Sequence, residues 1–172
     1  MNLKGGALTA YNVFADGIKI TDVTDVKLPD REAMTVTLNG TGIAGEVNMP
    51  LKGKFASTEC GFTVGTPVQN AFLTRPGYIN LAYKGNMQKI EPLTGMAVDV
   101  AVKIEARCIF KKKTGGNFKV GEGLGQEYTY EVVAWKEYND NIMVFHVDKI
   151  NNIYFELGTT GNVAEKINIG EL

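Results

Sequence analysis

Polar and apolar residues alternate with a period of two along most of this chain, and that period predicts strands. The cleanest run is Met96 to Phe110. Val98, Val100, Val102, Ile104, Ala106, Cys108 and Phe110 fall on one parity, and Asp99, Ala101, Lys103, Glu105 and Arg107 on the other. Such a strand puts one face in a core and one in water or at a polar interface. Shorter strands are expected at Ala10–Phe14, along Ile18–Leu28 with aspartates at its bends, and at Glu59–Val64 and Tyr78–Met87. Gln126–Tyr138, Ile142–Ile150 and Ile153–Leu157 complete the set. Met34–Asn39 and Glu46–Phe55 read as the arms of a long hairpin with a glycine-rich tip, Gly40, Thr41, Gly42, Ile43, Ala44 and Gly45. Only one segment reads as helix: Thr66 suits an N-cap, Pro67 the first helical position, and Val68, Ala71 and Phe72 share a face before Pro76-Gly77 ends it. The segment from Gly158 to Leu172 reads as a polar tail with weak strand character. Joins too short for crossover helices favour antiparallel pairing. The expectation is a single mainly β domain over residues 1–172, an antiparallel sandwich or barrel with one short helix.

Gly40, Gly42 and Gly45 satisfy G-x-G-x-x-G behind a strand-like run, the pattern of a dinucleotide-binding turn. There the last glycine opens a helix whose N-terminus holds the pyrophosphate. Here it opens Glu46-Val47-Asn48-Met49-Pro50-Leu51, which alternates with period two and carries a proline where the second helical turn would fall. The reading is a hairpin tip, with no cofactor.

Composition narrows the class further. A chain of 172 residues can bury one substantial core. A formal charge of −1 gives no global attraction to nucleic acid or anionic membrane. No stretch approaches the length of an apolar membrane span, and the N-terminus lacks the apolar core of a signal peptide, so an intracellular protein is expected. The Asn39-Gly40-Thr41 sequon then falls to chance. Cys60 and Cys108, far apart and each in an apolar run, read as buried reduced thiols. His146 stands alone and reads as a strand histidine with a structural hydrogen bond; it makes no zinc site with two scattered cysteines. Lys111-Lys112-Lys113 beside Gly115-Gly116 reads as a solvated loop. Tyr128 and Tyr130 share a parity while Trp135 lies on the other, among glutamates, so they form no base-stacking platform. No acid/base, nucleophile or metal set emerges, and an enzyme is not expected.

Several segments, in order, resemble the major tail tube proteins of contractile-tailed bacteriophages and their tailocin relatives. They are Tyr11–Gly17, Val26-Lys27-Leu28-Pro29 leading into the hairpin, and the tip Gly40–Gly45. The short helix around Pro67–Leu73, Phe118-Lys119-Val120-Gly121-Glu122 and Ile153-Tyr154-Phe155 follow. The resemblance spans roughly residues 10 to 158. It implies a subunit of hexameric rings that stack into a rigid hollow tube inside a contractile sheath. Its implied partners are further copies of itself, the sheath protein, a tape-measure protein and tube initiator and terminator proteins. DNA would be passing cargo. It would be made in the host bacterial cytoplasm and end in the tail of a virion or tailocin. Inward strands of neighbouring subunits would join around the lumen, and the hairpin tip would make ring contacts.

On that reading Thr35, Thr37, Asn39, Glu46 and Asn48 of the hairpin, with Asp99, Lys103, Glu105 and Arg107, face the channel. The set is mixed and leans acidic, which suits a pore that must not grip a polyanion. Pro50 marks a possible bulge beyond which parity is open, leaving Lys52 and Lys54 unassigned. Two other readings stay open: the tube of a headless injection machine (a tailocin or type VI system), and a monomeric β-barrel that binds a small ligand.

Overall fold

The computed structural model describes residues 3–68 and 71–171. Nine strands form one antiparallel sheet: β1 (Lys4–Ala15), β2 (Ile18–Ile20), β3 (Val23–Lys27), β6 (Glu59–Val64), β7 (Tyr78–Ile90), β8 (Ala97–Lys113), β9 (Gln126–Asn139), β10 (Ile142–Asp148) and β11 (Ile153–Glu156). A second, two-stranded sheet is the hairpin of β4 (Ala33–Leu38) and β5 (Val47–Phe55).

The large sheet runs β2-β1-β7-β8-β9 and divides at β9. Gln126 to Glu131 pair with β6, and Ala134 to Asn139 pair with β10. β6 in turn pairs with β3. β2 and β3 are two halves of one segment bent at Asp22, whose φ of 60° breaks the strand and whose carbonyl accepts the Gly65 N–H at 3.0 Å. The path β1-β7-β8-β9-β6-β3 therefore returns through that bend to β2 and β1, enclosing the core. Trp135, Tyr128, Tyr130, Phe62 and Phe145 fill it, and Phe62 stacks on Tyr128 with ring centres 5.2 Å apart. At Gly61 the sheet closes so tightly that a Cβ would lie 2.0 Å from the Tyr128 carbonyl oxygen. Only glycine allows β6 and β9 to meet there.

The alternation read from Met96–Phe110 is realised in β8: Val100, Ile104, Ala106 and Cys108 are buried, and Asp99 and Arg107 are exposed. Cys60 and Cys108 are both buried free thiols with their sulfurs 3.4 Å apart. That sulfur contact and burial push Cys108 well above the usual thiol range.

Four expectations need correction. Trp135, expected on the opposite parity from Tyr128 and Tyr130, is buried in the same core, because the β8–β9 register shifts between Arg107 and Cys108 and adds Val133 to β9. The helix expected at Thr66–Leu73, of which residues 69 and 70 lie outside the described residues, is a four-residue 3-10 turn, Ala71–Thr74. Pro76 and Gly77 leave no room for further turns, and the turn is held by tertiary contact: Leu73 is buried and its carbonyl accepts the Tyr130 hydroxyl at 3.0 Å. The tail expected to have strand character instead carries the α-helix α1 (Val163–Asn168). Ala164, Glu165 and Lys166 favour helix, with the acid in the first turn and the base in the last. β1 begins at Lys4 and not at Ala10, because the Gly-rich stretch before Ala10 is held by pairing with β7 and has no period of its own.

Candidate assembly surfaces

In the hairpin, Thr35 pairs with Pro50, Val36 with Met49, Thr37 with Asn48 and Leu38 with Val47. Directly paired residues share a face in an antiparallel ladder. Thr35, Thr37 and Asn48 therefore lie on one side, where the Thr37 hydroxyl meets Asn48 Oδ1 at 2.8 Å. Val36, Leu38, Val47 and Met49 lie on the other, and all four are exposed. Asn39, Glu46 and the tip residues Gly40, Thr41, Gly42, Ile43, Ala44 and Gly45 are exposed as well. The ribbon is amphipathic, yet this protomer covers neither face.

Beyond Pro50 the ladder is interrupted. The next pair toward the root is Ala33 with Phe55, so one residue, Met34, faces four, residues 51–54. The hairpin root is then fastened to the body. Phe55 packs edge-on against Trp135 at 5.9 Å and Phe145 at 5.5 Å. Arg31 forms a fork on Glu137, with Nε 2.9 Å from Oε1 and Nη2 on Oε2, and Nη1 reaches Glu156 at 3.4 Å. Trp135 Nε1 donates to the same Glu137 carboxylate at 3.0 Å.

On β8, Asp99, Lys103, Glu105 and Arg107 occupy the face opposite the core. Register places Lys84 beside Lys103, Lys136 beside Glu105 and Ala134 beside Arg107. His146 lies beside Lys136, and Asp148 beside Ala134. Sequence reasoning missed Lys84 and Lys136 because cross-strand register, unlike parity, is not visible in one strand. With Asp148 they make the part of the set on this sheet four basic groups (Lys84, Lys103, Arg107, Lys136) against three acidic ones (Asp99, Glu105, Asp148), and with Glu46 of the hairpin the whole set is balanced. Lys103 and Glu105 pair at 3.1 Å, and Lys103 Nζ also sits 4.2 Å from the Tyr138 ring centre. An open groove of about 610 Å3 crosses this face, with Lys84, Glu105, Arg107, Lys136, His146 and Asp148 among its walls. Burial, then Lys136, hold His146 below the usual imidazole value. Burial raises Asp148, but donors from Asn151 and Ile150 outweigh it and leave it low.

Within one protomer the hairpin and β8 belong to separate sheets, so strand pairing does not bring the two sets of polar residues together. One edge of β1 from Lys4 to Asn12 has no strand beside it among the described residues, and β11 has only β10 as a neighbour. The β1 edge is a template for pairing with another chain, whereas the outer edge of β11 is met by the tail, where Asn162 Oδ1 accepts the Tyr154 N–H at 3.3 Å.

No helix among the described residues is long and apolar enough to cross a membrane. The fold is similar to a sheath/tube terminator in a cryo-EM structure of an extracellular contractile injection system, PVC, in its extended state. The match has a TM-score of 0.50 at 14% identity, and covers 76% of this chain and 94% of that one. No curated protein matches. Residues 6–160 match the profile of the phage tail tube protein FII. That match takes in the hairpin, its fastened root and the polar face of β8, and the chain belongs to the phage tail tube protein FII family as a structural subunit of a tail tube.

Proposed function

We propose that this chain forms hexameric rings that stack into the inner tube of a contractile tail, with a sheath outside and a lumen open to DNA or a tape-measure protein. The carrying observation is the β4–β5 hairpin, a two-stranded ribbon with a polar and an apolar face, both left open by the protomer. An isolated hairpin is marginal in water, and covering its apolar face is what stabilises it. A neighbouring copy that covers Val36, Leu38, Val47 and Met49 does this, and a head-to-tail contact repeated by rotation closes a ring.

In that ring Thr35, Thr37, Asn39, Glu46 and Asn48 of one copy join Asp99, Lys103, Glu105 and Arg107 of another along the lumen, while tip residues 40–45 contact the adjoining ring. The mixed charges of the β8 face suit a channel for a polyanion, because Asp99, Glu105 and Asp148 interrupt Lys84, Lys103, Arg107 and Lys136 and leave no continuous basic surface to hold phosphates. The role is structural, with no chemistry asked of any side chain. A capsid on purified particles distinguishes a phage tail from a headless machine.

Single cysteines introduced as Thr37→Cys or Glu105→Cys test the lumen assignment in intact tubes. Protection from bulky thiol reagents, with free reaction by small ones, is expected. Unhindered labelling of either position by the bulky reagent would refute the facing.

A further inference from the structure

We propose that the C-terminal segment, residues 161–171, sets the direction of the β4–β5 hairpin, with Asn162 and Glu165 as positioning residues that act through Lys54. The inference rests on the assembly reading above and adds to it a part of the chain that lies beyond the family match, which ends at residue 160.

The hairpin leaves the body through the interruption in which Met34 faces residues 51–54. Across such an irregularity the ladder does not fix the angle between the outer ribbon and its root. Other contacts must. Gly53, with a φ of 70°, lies so close to Tyr154 that a Cβ would sit 3.2 Å from the ring. The next residue, Lys54, donates from Nζ to Asn152 Oδ1 at 2.8 Å and to Glu165 Oε1 at 2.8 Å. Lys54 therefore ties the irregular segment to the turn between β10 and β11 and to α1 at once.

The tail is itself located by polar contacts. Asn162 is only 8% exposed; its Nδ2 donates to the Asn152 carbonyl at 2.6 Å, and its Oδ1 accepts the Tyr154 N–H at 3.3 Å. Asn152 Nδ2 donates to Glu165 at 3.2 Å, completing one network among hairpin, turn and tail. Contact with Lys54 and Asn152 lowers the Glu165 carboxyl below its usual range, keeping it charged. Meanwhile α1 leaves Val163 and Ile167 exposed at 48% and 57%, so it adds little to the core. A segment that buries little apolar surface but bonds the pivot of the hairpin is placed to orient, not to stabilise. Exposed ion pairs add little to folding stability, so the two roles separate experimentally.

The full-length chain is compared with Lys54→Met, Glu165→Gln, Asn162→Ala and the exchange Lys54→Glu with Glu165→Lys. Two quantities are measured: the protein concentration at which tubes appear, and the melting temperature of the unassembled chain. The single variants should raise that concentration about tenfold, equivalent to ~1.4 kcal/mol, and the exchange should recover to within about threefold. Melting should be nearly unchanged for the Lys54 and Glu165 variants and should fall only for Asn162→Ala, which loses two hydrogen bonds of a buried amide. Variants that assemble at the wild-type concentration would overturn the proposal. So would an exchange that fails to recover, or Lys54 and Glu165 variants whose melting falls in step with their loss of assembly. A wild-type chain that forms no tubes would remove the assembly reading and this one with it, an outcome distinct from wild-type tubes with indifferent variants.

Discussion

The guanidinium of Arg31 lies over the face of Phe145, 3.9 Å from the ring centre, while its nitrogens fork onto Glu137. Arg31 stands two residues before β4, and Phe145 is a fully buried core residue of β10. The start of the hairpin is thus pinned to the core by a planar cation with an aromatic on one side and a carboxylate at its edge. Arg31→Ala should cost ~1–2 kcal/mol, since the ring contact and the bidentate bond are both lost. Thermal melting checks this, with a fall of about 2–8 °C expected at this chain length. Arg31→Lys should not restore the loss, because an ammonium cannot reproduce the planar fork.

Gly61→Ala should be among the most damaging single substitutions in the chain. The new methyl would meet the Tyr128 carbonyl at 2.0 Å, where backbone and not a flexible side chain stands in the way. A loss of at least ~3 kcal/mol is expected, from overpacking together with broken β6–β9 pairing. Denaturant unfolding measures it.

Replacing Val36 or Met49 by lysine, one at a time because the two pair directly and two lysines there would repel, should leave folding intact. Both are exposed in the protomer, so folding stability should change by less than about 0.5 kcal/mol each. Assembly should nevertheless be lost, because the apolar face they share is what the next copy covers. Light scattering beside a melting curve separates the two effects.

Acid should erode stability through His146. Burial and Lys136 hold its folded pKa below the unfolded value of about 6.5. A depressed value means the unfolded chain binds the proton more readily. This contribution is therefore fully present above about 6.5 and is lost as pH falls through the folded value. His146→Gln should flatten the pH dependence of unfolding just below 6.5.

The two thiols should be silent in the native protein. Cys60 and Cys108 are buried, and Cys108 is pushed up by its sulfur neighbour and by burial. A thiol reagent should titrate both only after denaturation.

Strand parity was legible where a strand runs without a bulge beside one buried face, which is why β8 could be read residue by residue. In β9 the extra residue Val133 shifts parity and brings Trp135 into the core with Tyr128 and Tyr130. The amphipathic split of the hairpin was legible from the same alternation, although the protomer buries neither of its faces. What the sequence hid is whatever depends on other strands. Register put Lys84 and Lys136 beside the β8 charges, and pairing with β7 drew the Gly-rich start of β1 into the sheet. The interruption beside Pro50 was anticipated, but its length was not, nor was the use of Lys54 within it, whose partner Glu165 stands on a helix of only six residues. So short a helix has too little period to announce itself against the surrounding strands.

Electron cryomicroscopy with helical reconstruction on the assembled protein tests the central claim most directly. The account predicts a hollow tube of six-subunit rings, with Glu105 and Arg107 lining the lumen and the apolar face of each hairpin covered by a neighbouring copy. A tube whose lumen is lined by other faces, or a hairpin left uncovered in the assembly, would contradict it.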